Sequence, residues 1–390
     1  MNLRQKRQWI CFSIEGLNSF GTVLYFNYLY FFLRSRFGFD DRHNLMVAAL
    51  LGLIYTLASW QAGRLAHRWG YFTALKLGFG LMASALLAGS QLGSAAGQVA
   101  AAAVATLGMC FTWPVLEALI SENETPDRVP HAVGIYNITW AATNALAYFI
   151  GGTLIVKFGF HSIFYAPIGI LLAQLGMMFW LQSLGNSRGA ADPHVAPPPD
   201  PNRPSPAKAK TFLRMAWLAN PFAYIAINTL IAVIPGLAAR FDLSPMMAGF
   251  ICSLWCFVRL CVFVGLWFWT GWHYRFRWLA AAFSLLVLAF AAILVAPSLA
   301  VLIAAQVFFG AAVGLIYYSS LFYSMDASDT KSEHGGIHEA AIGAGNFIGP
   351  AVGAASLQFL PQFASSGAIA VSALLLCGLG GLVAIWKTSR

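Results

Sequence analysis

Residues Cys252 to Trp272 read CSLWCFVRLCVFVGLWFWTGW, with Arg259 near the middle. Apart from Arg259, the run is apolar, aromatic or small. A helix needs about 20 such residues to cross the hydrocarbon core of a bilayer. An arginine at that depth costs at least ~2.5 kcal/mol on insertion scales, and it persists where it faces a water-filled cavity, a carboxylate or a ligand. Arg259 is therefore expected to serve function, with a buried structural ion pair as the alternative. The rest of the chain reads as the wall of the cavity that Arg259 requires.

Composition agrees. Of 390 residues, 59% are hydrophobic and 9% charged, with mean hydropathy +0.69. Soluble domains carry about 25% charged residues, so the chain is a polytopic membrane protein. The net charge of +9 sits in short loops between apolar runs, where basic residues set topology. No nucleic-acid partner is expected. The six cysteines fall inside apolar runs, which argues against a disulfide framework. Cys252 and Cys256 share one helical turn and read as small packing residues rather than metal ligands. The first apolar run, Ile10 to Leu33, lacks an A-x-A cleavage site and reads as a retained first helix.

Twelve candidate spans follow, near 10–33, 44–66, 73–92, 97–121, 131–156, 160–184, 212–238, 245–270, 276–296, 299–325, 335–358 and 363–386. Between the sixth and seventh lies PHVAPPPDPNRPSPAKAK, too rich in proline and charge to span or pack, and expected to be an extended linker. The expected organisation is a six-helix bundle over 1–186, a cytoplasmic linker over 187–210 and a second bundle over 211–390. With the N-terminus inside, seventeen of the 23 Lys and Arg fall on the cytoplasmic face, five fall on the outer face, and Arg259 completes the set. The positive-inside rule then places both termini in the cytoplasm of a multi-pass inner (plasma) membrane protein.

The halves repeat. Shifted by 202 positions, spans four and five land on ten and eleven: Gly108 on Gly310, Gly134-Ile135 on Gly336-Ile337, Asn144 on Asn346 and Gly151 on Gly353. Parallel six-helix repeats are an established transporter architecture, with substrate near midplane between the halves.

The loop between spans two and three reads Gly63-Arg64-Leu65-Ala66-His67-Arg68-Trp69-Gly70. With the six-plus-six topology and the long middle loop, it resembles the major facilitator superfamily over essentially the whole chain. Gly63, Leu65, Arg68 and Gly70 match the family pattern. His67 stands where the family has aspartate, and Tyr71 and Phe72 replace a basic pair. The charge lock associated with this gating loop is therefore expected to be weakened or pH-dependent. Gly345 to Pro350 in span eleven is similar to a glycine- and proline-containing helix of family exporters, where that feature lies in span five.

The resemblance implies an all-α membrane fold of twelve helices in two pseudo-symmetric bundles, with spans 1, 4, 7 and 10 lining the cavity. Polar side chains concentrate accordingly. Span one carries Glu15, Asn18, Ser19, Thr22 and Tyr25 at spacings of 3 and 4, one face of a helix. Span five carries Tyr136, Asn137, Trp140 and Asn144, and span seven carries Asn220, Tyr224 and Asn228. Tyr317 in span ten and His338, Glu339 and Asn346 in span eleven complete the set. Arg259, Asn18, Tyr25, Tyr136, Trp140, Asn144, Tyr224, Asn228, Tyr317 and Asn346 are the candidate substrate contacts. Glu15, His338 and Glu339 are the candidate proton carriers. The asparagines could instead join helices by hydrogen bonds, each worth ~0.6 kcal/mol. Trp267, Trp269 and Trp272 read as interfacial belt residues.

The expected function is secondary transport of a small organic solute by alternating access, coupled to protons, with Arg259 favouring an organic anion. An exporter of amphiphilic compounds and a non-transporting sensor are the alternatives. An enzyme is not expected, because no phosphate-binding loop, H-E-x-x-H or G-x-S-x-G is present. No cofactor or metal is expected. The partners are the substrate, protons and the lipid bilayer, and the chain is expected to be a monomer.

Overall fold

The computed structural model describes residues 3–121, 129–183, 204–326, 331–363 and 365–389. These form helices and no strand. The first bundle contains α1 (Leu3–Phe37), α2 (Asp41–Trp69), α3 (Tyr71–Gln91), α4 (Ala95–Cys110), α5 (Trp113–Ser121), α6 (Val129–Phe158) and α7 (Ser162–Ser183). The second contains α8 (Pro206–Arg240), α9 (Pro245–Cys252), α10 (Leu254–Phe268), α11 (Phe276–Leu294), α12 (Leu299–Asp326), α13 (Lys331–Phe359) and α14 (Ser366–Thr388). α4 with α5, and α9 with α10, are single spans broken by a residue or two, so the described helices make the twelve spans expected. With twelve spans, the start of α1 and the end of α14 fall at one face of the bundle, called here the terminal face.

Among the described residues, eleven of the spans are long and apolar enough to cross a membrane. α1 is the exception, although it has 35 residues. Its stripe of Glu15, Asn18, Ser19, Thr22 and Asn27 dilutes its hydropathy, and all five side chains are buried within the protein. α1 is polar because it faces protein and cavity rather than lipid.

Helix starts follow local chemistry. Asp40 caps α2 through the His43 amide at 2.9 Å, and Ser244 caps α9 with Pro245 in its first turn. Ser205 likewise caps α8, with Pro206 behind it. α8 therefore begins inside the stretch read from sequence as linker; residues 187–203 of that stretch lie outside the described residues. Gly70 turns the chain from α2 into α3 at φ +84°, a conformation that side chains rarely adopt. Trp272 also departs from expectation. It is 1% exposed and sits in an aromatic cluster with Tyr318, Phe322 and Tyr323, whereas Trp269 is exposed.

The bundles meet most extensively through α2 with α13, and through α6 with α9 and α10. Both contacts depend on glycine. A Cβ on Gly52 would strike the backbone at Asn346 and Phe347, and one on Gly152 would strike the Pro245 carbonyl. Gly108 and Gly310, equivalent in the repeat, meet different neighbours: the α3 backbone in one case and Trp255 and Val258 in the other.

Gly52→Val is expected to lower the unfolding midpoint in detergent, by the ~1–3 kcal/mol typical of overpacking. The same change at Gly80, whose added Cβ would meet nothing within 4 Å, leaves the midpoint unchanged or higher. Equal midpoints for wild type and Gly52→Val would show that α2 and α13 are not in close contact.

Candidate functional site

A cavity of about 210 Å³ lies between the bundles, walled by α1, α2, α6, α8, α10, α12 and α13 with contributions from α4 and α5. The bundles also meet on either side of it, first toward the far face. There Arg42 Nη1 donates to Gln358 Oε1 at 2.7 Å. Arg34 pairs with Asp41 at 3.1 Å, and Asp41 packs against Gly236 of α8. Toward the terminal face, the Tyr55 hydroxyl of α2 donates to Glu339 Oε2 of α13 at 2.6 Å. Val133 of α6 packs against Leu321 of α12 on the same side.

Arg259 is 3% exposed and lies on the cavity wall. Its guanidinium carbon is 4.6 Å from the Trp140 ring and 4.9 Å from the Trp255 ring. Trp255 is one helical turn before Arg259, so α10 supplies one stacking partner by spacing alone. Trp140 comes from α6 in the other bundle, so this cation–π contact crosses between the halves. The Trp140 indole donates to Asn137 Oδ1 at 2.8 Å, which fixes the ring. Trp113, Phe263 and Tyr317 pack against it edge-on. Rings stabilise a buried guanidinium by ~2 kcal/mol when it is desolvated, but they accept no hydrogen bond in its plane. Arg259 Nε and Nη2 have no hydrogen-bond partner among the described residues. Those two nitrogens share one edge of the guanidinium, the fork that matches a carboxylate.

Two carboxyl groups lie on the same wall. Glu117 of α5 and Glu339 of α13 line the cavity, and Tyr224 and Tyr317 stand within electrostatic reach of both carboxylates and of Arg259. Asn228 of α8 donates to Asn346 of α13 beside them.

The structure brings Arg259, Tyr136, Trp140, Asn144, Tyr224, Asn228, Tyr317, Asn346 and Glu339 together on the cavity wall. Asn18 and Tyr25 are not on it. Tyr25 is buried against Phe164 of α7, and Asn18 is buried with neither amide atom partnered. Glu15 lies behind the wall, fully buried, with the Tyr136 hydroxyl facing it short of hydrogen-bond geometry. The side chain of His338 lies outside the described residues. Gly63, His67, Arg68 and Gly70 sit at the end of α2 and its corner with α3, away from the cavity, with His67 and Arg68 exposed. Sequence reasoning missed Asn27, Tyr55, Trp113 and Trp255 on the wall. For Trp255, the one-turn spacing from Arg259 was the available signal.

Twelve helices in two bundles around a charged midplane cavity define a membrane transporter fold. The sequence model of the Major Facilitator Superfamily matches residues 9–335, and the chain belongs to that family. Comparison with curated protein sequences gave no match. Among solved structures, the human organic anion transporter MFSD10 (TETRAN) is 16% identical with a TM-score of 0.67, covering 98% of this chain and 100% of that one. A mutant of the peptide transporter POT in complex with sulfate is 16% identical with a TM-score of 0.73, covering 100% and 99%. A bacterial homologue of the human lysosomal transporter Spinster, inward-facing and unoccupied, is 13% identical with a TM-score of 0.68, covering 100% and 96%. At these identities the likeness is one of fold.

Tyr55→Phe removes the hydroxyl that bridges α2 and α13. It is expected to lower the unfolding midpoint by the ~1–3 kcal/mol of a lost buried hydrogen bond. A midpoint equal to wild type would show that the bond does not hold the bundles together.

Proposed function

We propose that the chain is a secondary transporter that carries a small organic anion by alternating access, coupled to protons. The observation that carries this reading is Arg259: a buried cation on the cavity wall, stacked between a ring of each bundle, with two in-plane donors unpartnered among the described residues. An anion at that fork would satisfy the donors and engage both halves at once. Rocking of the bundles about the α2–α13 and α6–α9/α10 contacts would then expose the site to either face. The aromatic and amide side chains Tyr136, Trp140, Asn144, Tyr224, Asn228, Tyr317 and Asn346 give the rest of the ligand apolar and hydrogen-bonding surface, with Asn18 and Tyr25 supporting the wall from behind.

Glu339, with His338 beside it in sequence, and Glu15 carry the coupling proton in this reading. Glu339 sits where the bundles touch through Tyr55, so its charge state is tied to their separation. The exposed His67 and Arg68, with Gly63 and Gly70, form the gating loop at the terminal face. The basic residues of the loops support a plasma-membrane orientation with both termini cytoplasmic. The chain works as a monomer, because each half supplies part of one cavity.

Purified protein in proteoliposomes is expected to accumulate small monocarboxylates when a pH gradient is imposed. Arg259→Ala should lower apparent affinity at least tenfold, given the ~2–5 kcal/mol carried by a buried charge pair, while Arg259→Lys retains part of it. Glu339→Gln should abolish gradient-driven accumulation but leave substrate exchange. Uptake unchanged in Arg259→Ala would contradict the anion anchor, and accumulation unchanged in Glu339→Gln would contradict its proton role.

A further inference from the structure

Behind the cavity wall, α1 carries a run of buried polar atoms that nothing in the described structure satisfies. Both Glu15 oxygens, both amide atoms of Asn18 and the Thr22 hydroxyl are buried without a hydrogen-bond partner. Glu15 and Asn18 are i and i+3 on one helix face, and Thr22 is one turn further along the same face. A second helix adds an oxygen. Gln174 of α7 donates its Nε2 to the Ile14 carbonyl at 3.0 Å, which places its head beside this turn with Oε1 unpartnered. From α6, the Tyr136 hydroxyl faces Glu15. Buried polar groups without partners are rare, and each costs about 1–3 kcal/mol. Here the acceptor oxygens of Glu15, Asn18 and Gln174 lie on or beside one turn of α1, and none of them has a donor among the described residues.

We propose that Glu15, Asn18 and Gln174, with the Tyr136 hydroxyl, form a binding site for a monovalent cation of the sodium type. The donor set is all oxygen and carries one formal negative charge when Glu15 is ionised by the bound cation. That suits a hard monovalent ion, whereas calcium is held by several carboxylates and magnesium keeps its water. Entry is from the cavity: Thr22 and Tyr136 line it, and both border the cluster. The ion would thus bind in a side pocket of the substrate cavity, and its binding would be sensed by the same wall that presents Arg259. The site goes beyond the transport reading by adding a second coupling ion at Glu15.

The test is thermal unfolding of the purified full chain in sodium, potassium or choline chloride at constant ionic strength, with equilibrium binding of radioactive sodium alongside. Sodium is expected to raise the midpoint by a few degrees in a saturable manner, with choline inert. Glu15→Gln should be at least as stable as wild type in choline, because it removes a buried charge, and should lose the response to sodium. Asn18→Leu should weaken sodium binding at least tenfold. Equal midpoints in sodium and choline with no bound sodium would overturn the site and leave the cluster to water or a proton. Sodium binding retained in Glu15→Gln would also overturn it. Anion uptake that does not depend on sodium would leave the transport reading intact while removing this site. Sodium binding without anion uptake would do the reverse.

Discussion

A guanidinium in the middle of a bilayer must be covered, and the cover for Arg259 is shared between the two halves of the protein. Trp255 lies one turn away on its own helix, while Trp140 reaches it from the opposite bundle. The contact is therefore a joint as well as a shield. The rings accept no hydrogen bond from the in-plane donors of Arg259, and Nε and Nη2 have no partner among the described residues. In the proposed reading, binding and the relative position of the bundles meet at this one side chain.

The architecture around the joint is close-packed where it must hold and polar where it must move. Gly52 and Gly152 let helices of opposite bundles touch at the backbone. Such contacts can roll without breaking hydrogen bonds. The hydrogen-bonded contacts between the bundles are Arg42 to Gln358 at the far face and Tyr55 to Glu339 on the cavity wall. The repeat supplies the frame, with Asn144 and Asn346 both on the cavity wall. The repeat is broken at Glu339. Glu339 stands at the position where the first half has Asn137, and Asn137 is occupied in holding the Trp140 ring.

Much of this was legible in the sequence because a membrane leaves few choices. Twelve apolar runs, a proline-rich break and a single arginine inside a span have one reading as a fold. Polar side chains in α6, α8 and α12 also pointed to the cavity, since lipid cannot receive them. The reading ran out where helical spacing marks a face without naming its neighbour. Glu15, Asn18 and Tyr25 share a stripe on α1, but the stripe faces the interior of its own bundle and α7, and the cavity face begins at Thr22. Tyr55 and Trp255 were missed because an aromatic ring in an apolar span looks the same whether it meets lipid, core or ligand. Trp272 was misread for the same reason: an aromatic at the end of a span resembles a belt residue until its partners on α12 are known.

The account stands or falls on whether an anion binds at Arg259, and ligand-dependent thermal stability of the purified protein asks this without requiring flux. A panel of monocarboxylates, neutral sugars and amphiphilic cations would be titrated against wild type and Arg259→Ala. The account predicts that carboxylates raise the unfolding midpoint of wild type in a saturable manner and leave the variant unmoved, as binding to the folded state requires. Stabilisation of both proteins by neutral or cationic ligands, with carboxylates inert, would contradict it and return Arg259 to a structural role between its two tryptophans.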